Sequence, residues 1–123
     1  MVDSSKVTSF EDLVVWQHAQ DLAVSVYTLT KSFPNDELFA MTSQIRRAAS
    51  SISANIAEGF GRQTSNDKAH FYTMAYGSLL EVKNFLYLAN KLHYVNDDDL
   101  TSLLVQCTSC QKLINASKRS LRS

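Results

Sequence analysis

The sequence predicts an all-α protein, an antiparallel up-down-up-down four-helix bundle. Three glycines and one proline in 123 residues leave few places for tight turns, which favours long helices over many short strands. Apolar residues recur at spacings of three and four through four long segments, and this period is typical of helices. Only a few residues join these segments, and short connections place consecutive helices side by side in opposite directions.

The first helix is predicted to follow Ser9, a favourable N-cap residue with Asp12 three positions later. It is expected to run to about Ser32, ahead of Pro34. Its apolar residues form two adjacent rows that together span about 160° of the helix surface. A stripe this wide exceeds what one neighbour covers, so we expect the helix to contact two partners.

The second helix is predicted to follow Pro34, with Asp36 and Glu37 in its first turn, and to end near Gly59. Its predicted core row is Leu38, Met41, Ile45, Ala48, Ile52 and Ile56. The third helix is predicted to start at Thr64, and its apolar spacing resembles a heptad seam. The seam residues are Phe71, Ala75, Ser78, Val82, Phe85, Ala89 and Leu92.

The fourth helix is predicted to open at Asn96, followed by three consecutive aspartates. Its predicted core row is Leu100, Leu103, Cys107, either Cys110 or Gln111, and Ile114. The resulting domain organisation is a disordered segment over residues 1–9, a four-helix bundle over 10–117 and a basic C-terminal tail over 118–123.

Charge and targeting signals narrow the classes of function. Twelve basic side chains balance twelve acidic ones, so contact with nucleic acid would require a local patch. Residues 1–9 contain no apolar run of a signal peptide, and no stretch of ~18 apolar residues occurs anywhere in the sequence. We therefore expect a cytoplasmic protein.

Cys107 and Cys110 are too isolated for redox or zinc chemistry. A reactive pair is expected at a helix N-terminus after a strand, and structural zinc needs a second ligand pair. The three histidines lie on different predicted helices and lack the paired Glu-x-x-His motifs of a di-iron bundle. We expect two core thiols, no metal, no cofactor and no enzymatic activity.

A polar stripe on the second helix is the main candidate site. Its members are Gln44, Arg47, Ser51, Asn55 and Glu58. One interpretation is a solvated face, and the other is a hydrogen-bond network between helices or subunits, since Ser and Asn are mediocre helix formers. Glu81 on the third helix is the predicted partner. We expect Arg47 or Asn55 to contact Glu81 or Glu58.

Two groups of basic residues are candidate contacts for nucleic acid. The first group is Arg46, Arg47 and Arg62, on or just after the second helix, and the second is Lys112, Lys118, Arg119 and Arg122 near the chain's end. The alternative interpretation is that they only interact with helix dipoles. Repetition in an oligomer would strengthen even a modest patch.

Six large aromatic side chains exceed what one helical seam accommodates. They are Trp16, Phe39, Phe60, Tyr72, Tyr76 and Tyr87. Surplus apolar surface is expected to be covered by a partner. The apolar stripe of the first helix is also too wide for one bundle, so the sequence predicts a homo-oligomer larger than a dimer.

Four segments also carry a family resemblance. They are Phe10-x-x-Leu13-x-x-Trp16-Gln17-x-Ala19, Phe33-Pro34, Gln44-Ile45-Arg46-Arg47-Ala48-x-x-Ser51-Ile52-x-x-Asn55-Ile56-Ala57-Glu58-Gly59 and Gly77-Ser78-Leu79-x-Glu81. This pattern resembles the bacterial four-helix-bundle family encoded in intervening sequences of 23S ribosomal RNA genes. It departs from the family at Tyr76, where members often carry Arg.

The resemblance implies a small cytoplasmic bundle that assembles into a ring, typically a pentamer, without established enzymatic activity. Similar bundles are accessory proteins of reverse transcriptases in diversity-generating retroelements, where they bind nucleic acid and the polymerase. The expected function is therefore that of an oligomeric interaction protein that binds RNA, DNA or a reverse transcriptase. The alternative is a purely structural assembly module without affinity for nucleic acid.

Overall fold

A computed structural model describes residues 6–121 of the chain. Within that range there are four α-helices and no strand: α1 Val14–Thr30, α2 Ser43–Phe60, α3 Ser65–Lys91 and α4 Asp97–Ser120. α1 packs against α2 and α4, and α3 also packs against α2 and α4. α1 and α3 therefore occupy opposite corners around a shared core. This arrangement is that of a helical bundle.

The start of α1 differs from the sequence prediction, because the regular helix begins at Val14 rather than directly after Ser9. A 3-10 turn over Phe10–Asp12 precedes the helix. The Asp12 carboxylate accepts hydrogen bonds from the backbone N–H groups of Thr8 and Ser9, and these bonds lower the pKa of Asp12. The predicted two partners of the helix are α2 and α4. Contacts within one chain thus account for the width of its apolar stripe.

The connection between α1 and α2 differs from the one that the sequence predicts. Asn35–Glu37 forms a 3-10 turn, and Leu38–Thr42 forms a π-helical turn before α2 begins. A π turn accommodates one extra residue in a helix. Met41 inside the turn packs in a small core cluster with Phe33, whereas Leu38, predicted to be in the core, is 48% exposed.

The buried row of α3 differs from the predicted seam. It consists of Phe71, Ala75, Leu79, Val82, Leu86 and Ala89. Ser78 and Phe85 are half-buried beside this row, and Leu92 is exposed. Leu79 directly follows Ser78, and Leu86 directly follows Phe85. Spacings of three and four residues fit either member of each pair. Both leucines are buried in the core, and Ser78 beside them contacts Ser51 of α2.

The helix caps and the core of α4 agree with the sequence. The side chains of Thr64 and Asn96 accept hydrogen bonds from the backbone N–H groups three residues later, as N-caps do. Cys107 and Cys110 are free thiols buried in the core. Burial raises the pKa of Cys107 to about 11 and that of Cys110 to about 12, so both remain protonated at neutral pH.

α4 continues through Ser120 and includes part of the segment predicted as a basic tail. Lys118 and Arg119 lie in its last turn. Arg122 and residues 1–5 lie outside the described range. In residues 6–121, no helix has both the length and the apolar character that crossing a membrane requires.

The most extensive helix contact joins α2 and α3. Gly59 is buried there, near the end of α2, and a Cβ atom at this position would lie 2.7 Å from the Phe71 Cβ. Glycine thus allows the two helices to approach more closely than any other residue would. Gly77, on the exposed side of α3, has no such neighbour within 4 Å.

We expect Gly59→Ala to lower the free energy of unfolding by about 1 to 3 kcal/mol, because the added methyl group overpacks the contact with Phe71. The matched control is Gly77→Ala, which should raise it by about 0.5 to 1 kcal/mol, since alanine is the better helix former and meets open space. Urea denaturation measures both. Equal stabilisation by the two substitutions would contradict close packing at Gly59.

Candidate functional site

A small polar cluster joins the middle of α2 to α3. The Asn55 side-chain amide donates to the Ser51 carbonyl and hydroxyl oxygens, at 2.8 and 3.0 Å. The Ser78 hydroxyl donates to the same Ser51 hydroxyl at 3.0 Å. All three side chains are half-buried. The bond between Ser51 and Ser78 is therefore a contact between helices, whereas both bonds of Asn55 stay within α2.

The long charged members of the predicted network do not join this cluster. Arg47, Glu58 and Glu81 are exposed, and so is Gln44. Asn55 bonds to Ser51 rather than to a glutamate, and the ion pair found within residues 6–121 joins Glu58 to Arg62 at 3.5 Å. Short side chains fit the close seam between the helices, whereas the long charged ones extend past it and keep their hydration.

Arg46 has a structural contact that the sequence did not indicate. Its Nε donates to the buried Thr30 hydroxyl at 2.8 Å, and its guanidinium carbon lies 4.9 Å from the Tyr27 ring centroid. Both partners belong to α1. The signal available in the sequence was Thr30 itself, a polar residue within an apolar row. Arg46 thus holds α1 against α2 and is not free to bind a ligand with its whole guanidinium group.

Three of the remaining basic candidates lie at one end of the molecule. The Lys68 ammonium donates to the Phe60 carbonyl at 2.8 Å, which joins the start of α3 to the end of α2. A cleft of about 310 Å³ at this end is lined by parts of α2, α3 and the last turns of α4. Lys118 and Arg119 belong to those last turns, and Arg62 follows α2 directly. These cations therefore share one end of the bundle.

The predicted group of Arg46, Arg47 and Arg62 is divided by this arrangement. Sixteen residues separate Arg46 from Arg62, which corresponds to about 24 Å along a helix. Arg62 lies over the Phe71 ring, 4.7 Å from its centroid. Lys112 is exposed on α4, more than a turn before Lys118.

Exposed apolar side chains occur on several elements. Of the six surplus aromatic residues, Phe39 is 94% exposed and Tyr87 is 48% exposed, and the other four are half-buried. The large apolar residues that are exposed are Val24, Tyr27, Leu38, Phe39, Leu80, Tyr87, Leu88, Leu92 and Val105. α1 and α3 together hold the majority of them.

We expect the bond between Ser51 and Ser78 to couple the two helices energetically. Ser51→Ala and Ser78→Ala should each lower the free energy of unfolding by about 1 kcal/mol, and the double variant should lose less than the sum. Glu81→Ala is the control and should change stability by less than about 0.5 kcal/mol. Additive losses in a double-mutant cycle, measured by urea denaturation, would contradict a direct bond.

Comparisons with known proteins agree with this architecture. The profile of the 23S rRNA-intervening sequence protein family matches residues 11–116. A crystal structure of a protein with unknown function, from the S23 ribosomal protein family of Bacteroides thetaiotaomicron, is similar with a TM-score of 0.79. The two chains are 27% identical over 85% of this chain and 98% of that one. No curated protein matches the chain. The resemblance indicated by the sequence motifs is confirmed, and the chain belongs to the 23S rRNA-intervening sequence protein family.

Proposed function

We propose that this chain is a non-enzymatic, cytoplasmic interaction protein that assembles into a ring-shaped homo-oligomer, with five subunits as the expected number. Each subunit is an antiparallel up-down-up-down four-helix bundle. The assembled ring binds RNA, DNA or an enzyme that acts on nucleic acid, such as a reverse transcriptase.

The antiparallel arrangement is supported by contacts at both ends of the bundle. The Tyr94 hydroxyl, just after α3, donates to the Glu37 carboxylate, just before α2, at 3.0 Å. The bond from Lys68 to the Phe60 carbonyl joins the opposite ends of the same two helices. Contacts at both ends of the two helices support opposite directions for them.

The exposed apolar side chains support the proposal that copies of the chain associate. Phe39 projects almost completely from the π turn, and Val24 on α1 is 63% exposed. An aromatic side chain contributes 150 to 250 Å² when it is buried, roughly the largest gain that one residue offers. Each subunit has no net charge, so like-charge repulsion does not oppose contact between copies.

Binding of nucleic acid is supported by the cations at one end of the bundle. Arg119 and Arg62 are exposed there, and a ring would repeat this end in every subunit. The competing candidate is a structural assembly module without affinity for nucleic acid. It is favoured by the ion pair of Arg62 with Glu58 and by the neutral charge of the chain.

We expect multi-angle light scattering at micromolar concentration to give a mass several times the 13.8 kDa of one chain. Five subunits are the proposed number. A trimer or tetramer would change only this number, whereas the mass of a monomer would overturn the proposed assembly.

We expect binding of structured RNA or duplex DNA to be independent of sequence and to weaken steeply between ~50 and ~200 mM salt, because only phosphate contacts are available. Lys118→Gln together with Arg119→Gln should reduce the affinity at least several-fold. The matched variant, Lys31→Gln with Arg47→Gln, removes the same charge elsewhere and should have little effect.

Fluorescence anisotropy of labelled RNA and DNA measures these affinities. Undetectable binding by the wild-type protein at ~50 mM salt would favour the structural module. A larger loss with Lys31→Gln and Arg47→Gln than with the variant at the end of α4 would move the binding surface to the other half of α2.

A further inference from the structure

An exposed apolar face and a groove of mixed character lie on opposite sides of the bundle. On α3, Leu80, Tyr87 and Leu88 are each more than 40% exposed, and their spacings of seven and eight residues place them on one face. On the other side, α1 and α4 border a groove of about 490 Å³. α1 and α3 occupy opposite corners, so one chain cannot bring its own two surfaces together.

The groove combines apolar walls with hydrogen-bonding groups and a single charge. Val24, Leu29 and Leu103 supply its apolar walls, and Thr28 and Gln106 are among its polar residues. Asp99 is the one charged residue among its lining. The apolar walls can contact an aromatic ring, and the polar residues can bind a hydroxyl group on that ring. The carboxylate can pair with a cation next to it.

We propose that the groove between α1 and α4 receives Tyr87 of a second copy of this chain, and that Lys91 of that copy pairs with Asp99. The inference rests on the proposed self-association and assigns its interface. The neighbouring Leu80 and Leu88 cover the rim of the groove.

Charge and position both support this occupant. Lys91 follows Tyr87 by one helical turn and is exposed, and it forms no ion pair within the part of the chain described here. The Asn90 amide donates to the Asp97 carboxylate at 2.9 Å, which places the last turn of α3 level with the first turn of α4. Two copies standing side by side in the same orientation therefore present Lys91 and Asp99 at the same height.

The size of the groove also fits. A tyrosine side chain occupies much less than the volume of the groove, which leaves room for part of Leu88 or Leu80 beside it. The groove offers the Tyr87 hydroxyl partners in the hydroxyl and amide groups of Thr28 and Gln106. Aromatic residues of this kind are the side chains that dominate the energetics of protein interfaces.

The two surfaces are different, so the contact is head-to-tail. A head-to-tail contact leaves one free groove and one free α3 face at the ends of any open assembly, and these join when the rotation between neighbours closes a ring. The inferred interface therefore accounts for assembly beyond a dimer without a second type of contact.

The first test compares a substitution at the proposed interface with a matched substitution outside it. Tyr87→Glu places a second negative charge beside Asp99 in the groove and should raise the dissociation constant of the assembly at least tenfold, with monomers at micromolar concentration. The matched control is Val105→Glu, on the outer face of α4 and away from the groove, where the native side chain is 62% exposed. It should leave the assembly intact. Sedimentation velocity measures both, and circular dichroism confirms that each variant folds.

The second test reverses the proposed ion pair. Asp99→Lys should weaken assembly, and adding Lys91→Asp to the same chain should restore it. Asp98→Lys is the control, because it makes the same change in the same helical turn without touching the groove. Equal weakening by Asp98→Lys and Asp99→Lys would contradict the pairing.

Failures of the two proposals are distinguishable. A monomeric wild-type protein overturns the proposed assembly and this interface together. A wild-type oligomer whose assembly survives both Tyr87→Glu and Asp99→Lys overturns only the interface. If that oligomer dissociated on Phe39→Arg, the contact between copies would be assigned to the π turn instead.

Discussion

The close contact between α2 and α3 constrains the rest of the bundle. Gly59 lies against Phe71 near one end of this contact, and the hydroxyl groups of Ser51 and Ser78 meet at its middle. Residues without long side chains are required at both places. Longer polar side chains on the same stripe, such as Arg47, are directed past the seam into water. The packing of two helices thereby determines which charges remain available to ligands.

Features that depend on local sequence could be predicted, and features that depend on distant contacts could not. The caps at Thr64 and Asn96 follow from side chains within three residues of the bonds that they form. The π turn, in contrast, directly follows Glu37, whose carboxylate accepts a hydrogen bond from Tyr94, 57 residues later in the chain. In α3, helical periodicity alone could not separate Ser78 from its neighbour Leu79, because either choice gives an apolar row.

The candidate sites show the same division. Periodicity placed the polar stripe of α2 on one face, and Ser51 and Asn55 do form a cluster there. It could not show that Arg46, next to the stripe, is bound to Thr30 of α1. Nor could a neutral total charge show where the cations lie. The fold brings Arg62 and the last turn of α4 to one end, whereas the aspartates that open α4 lie at the other end of that helix.

The π turn also has a consequence at the level of the gene. Deletion of one codon within residues 38–42 would convert this turn into regular α-helix. The buried Thr42 hydroxyl, which has no hydrogen-bond partner among residues 6–121, would then come within reach of the carbonyl four residues earlier. The same deletion within α2 would rotate one part of the helix against the other by about 100° and carry residues such as Ile52 out of the core. The π turn is therefore a place where related genes can differ in length by one residue and still encode the same core.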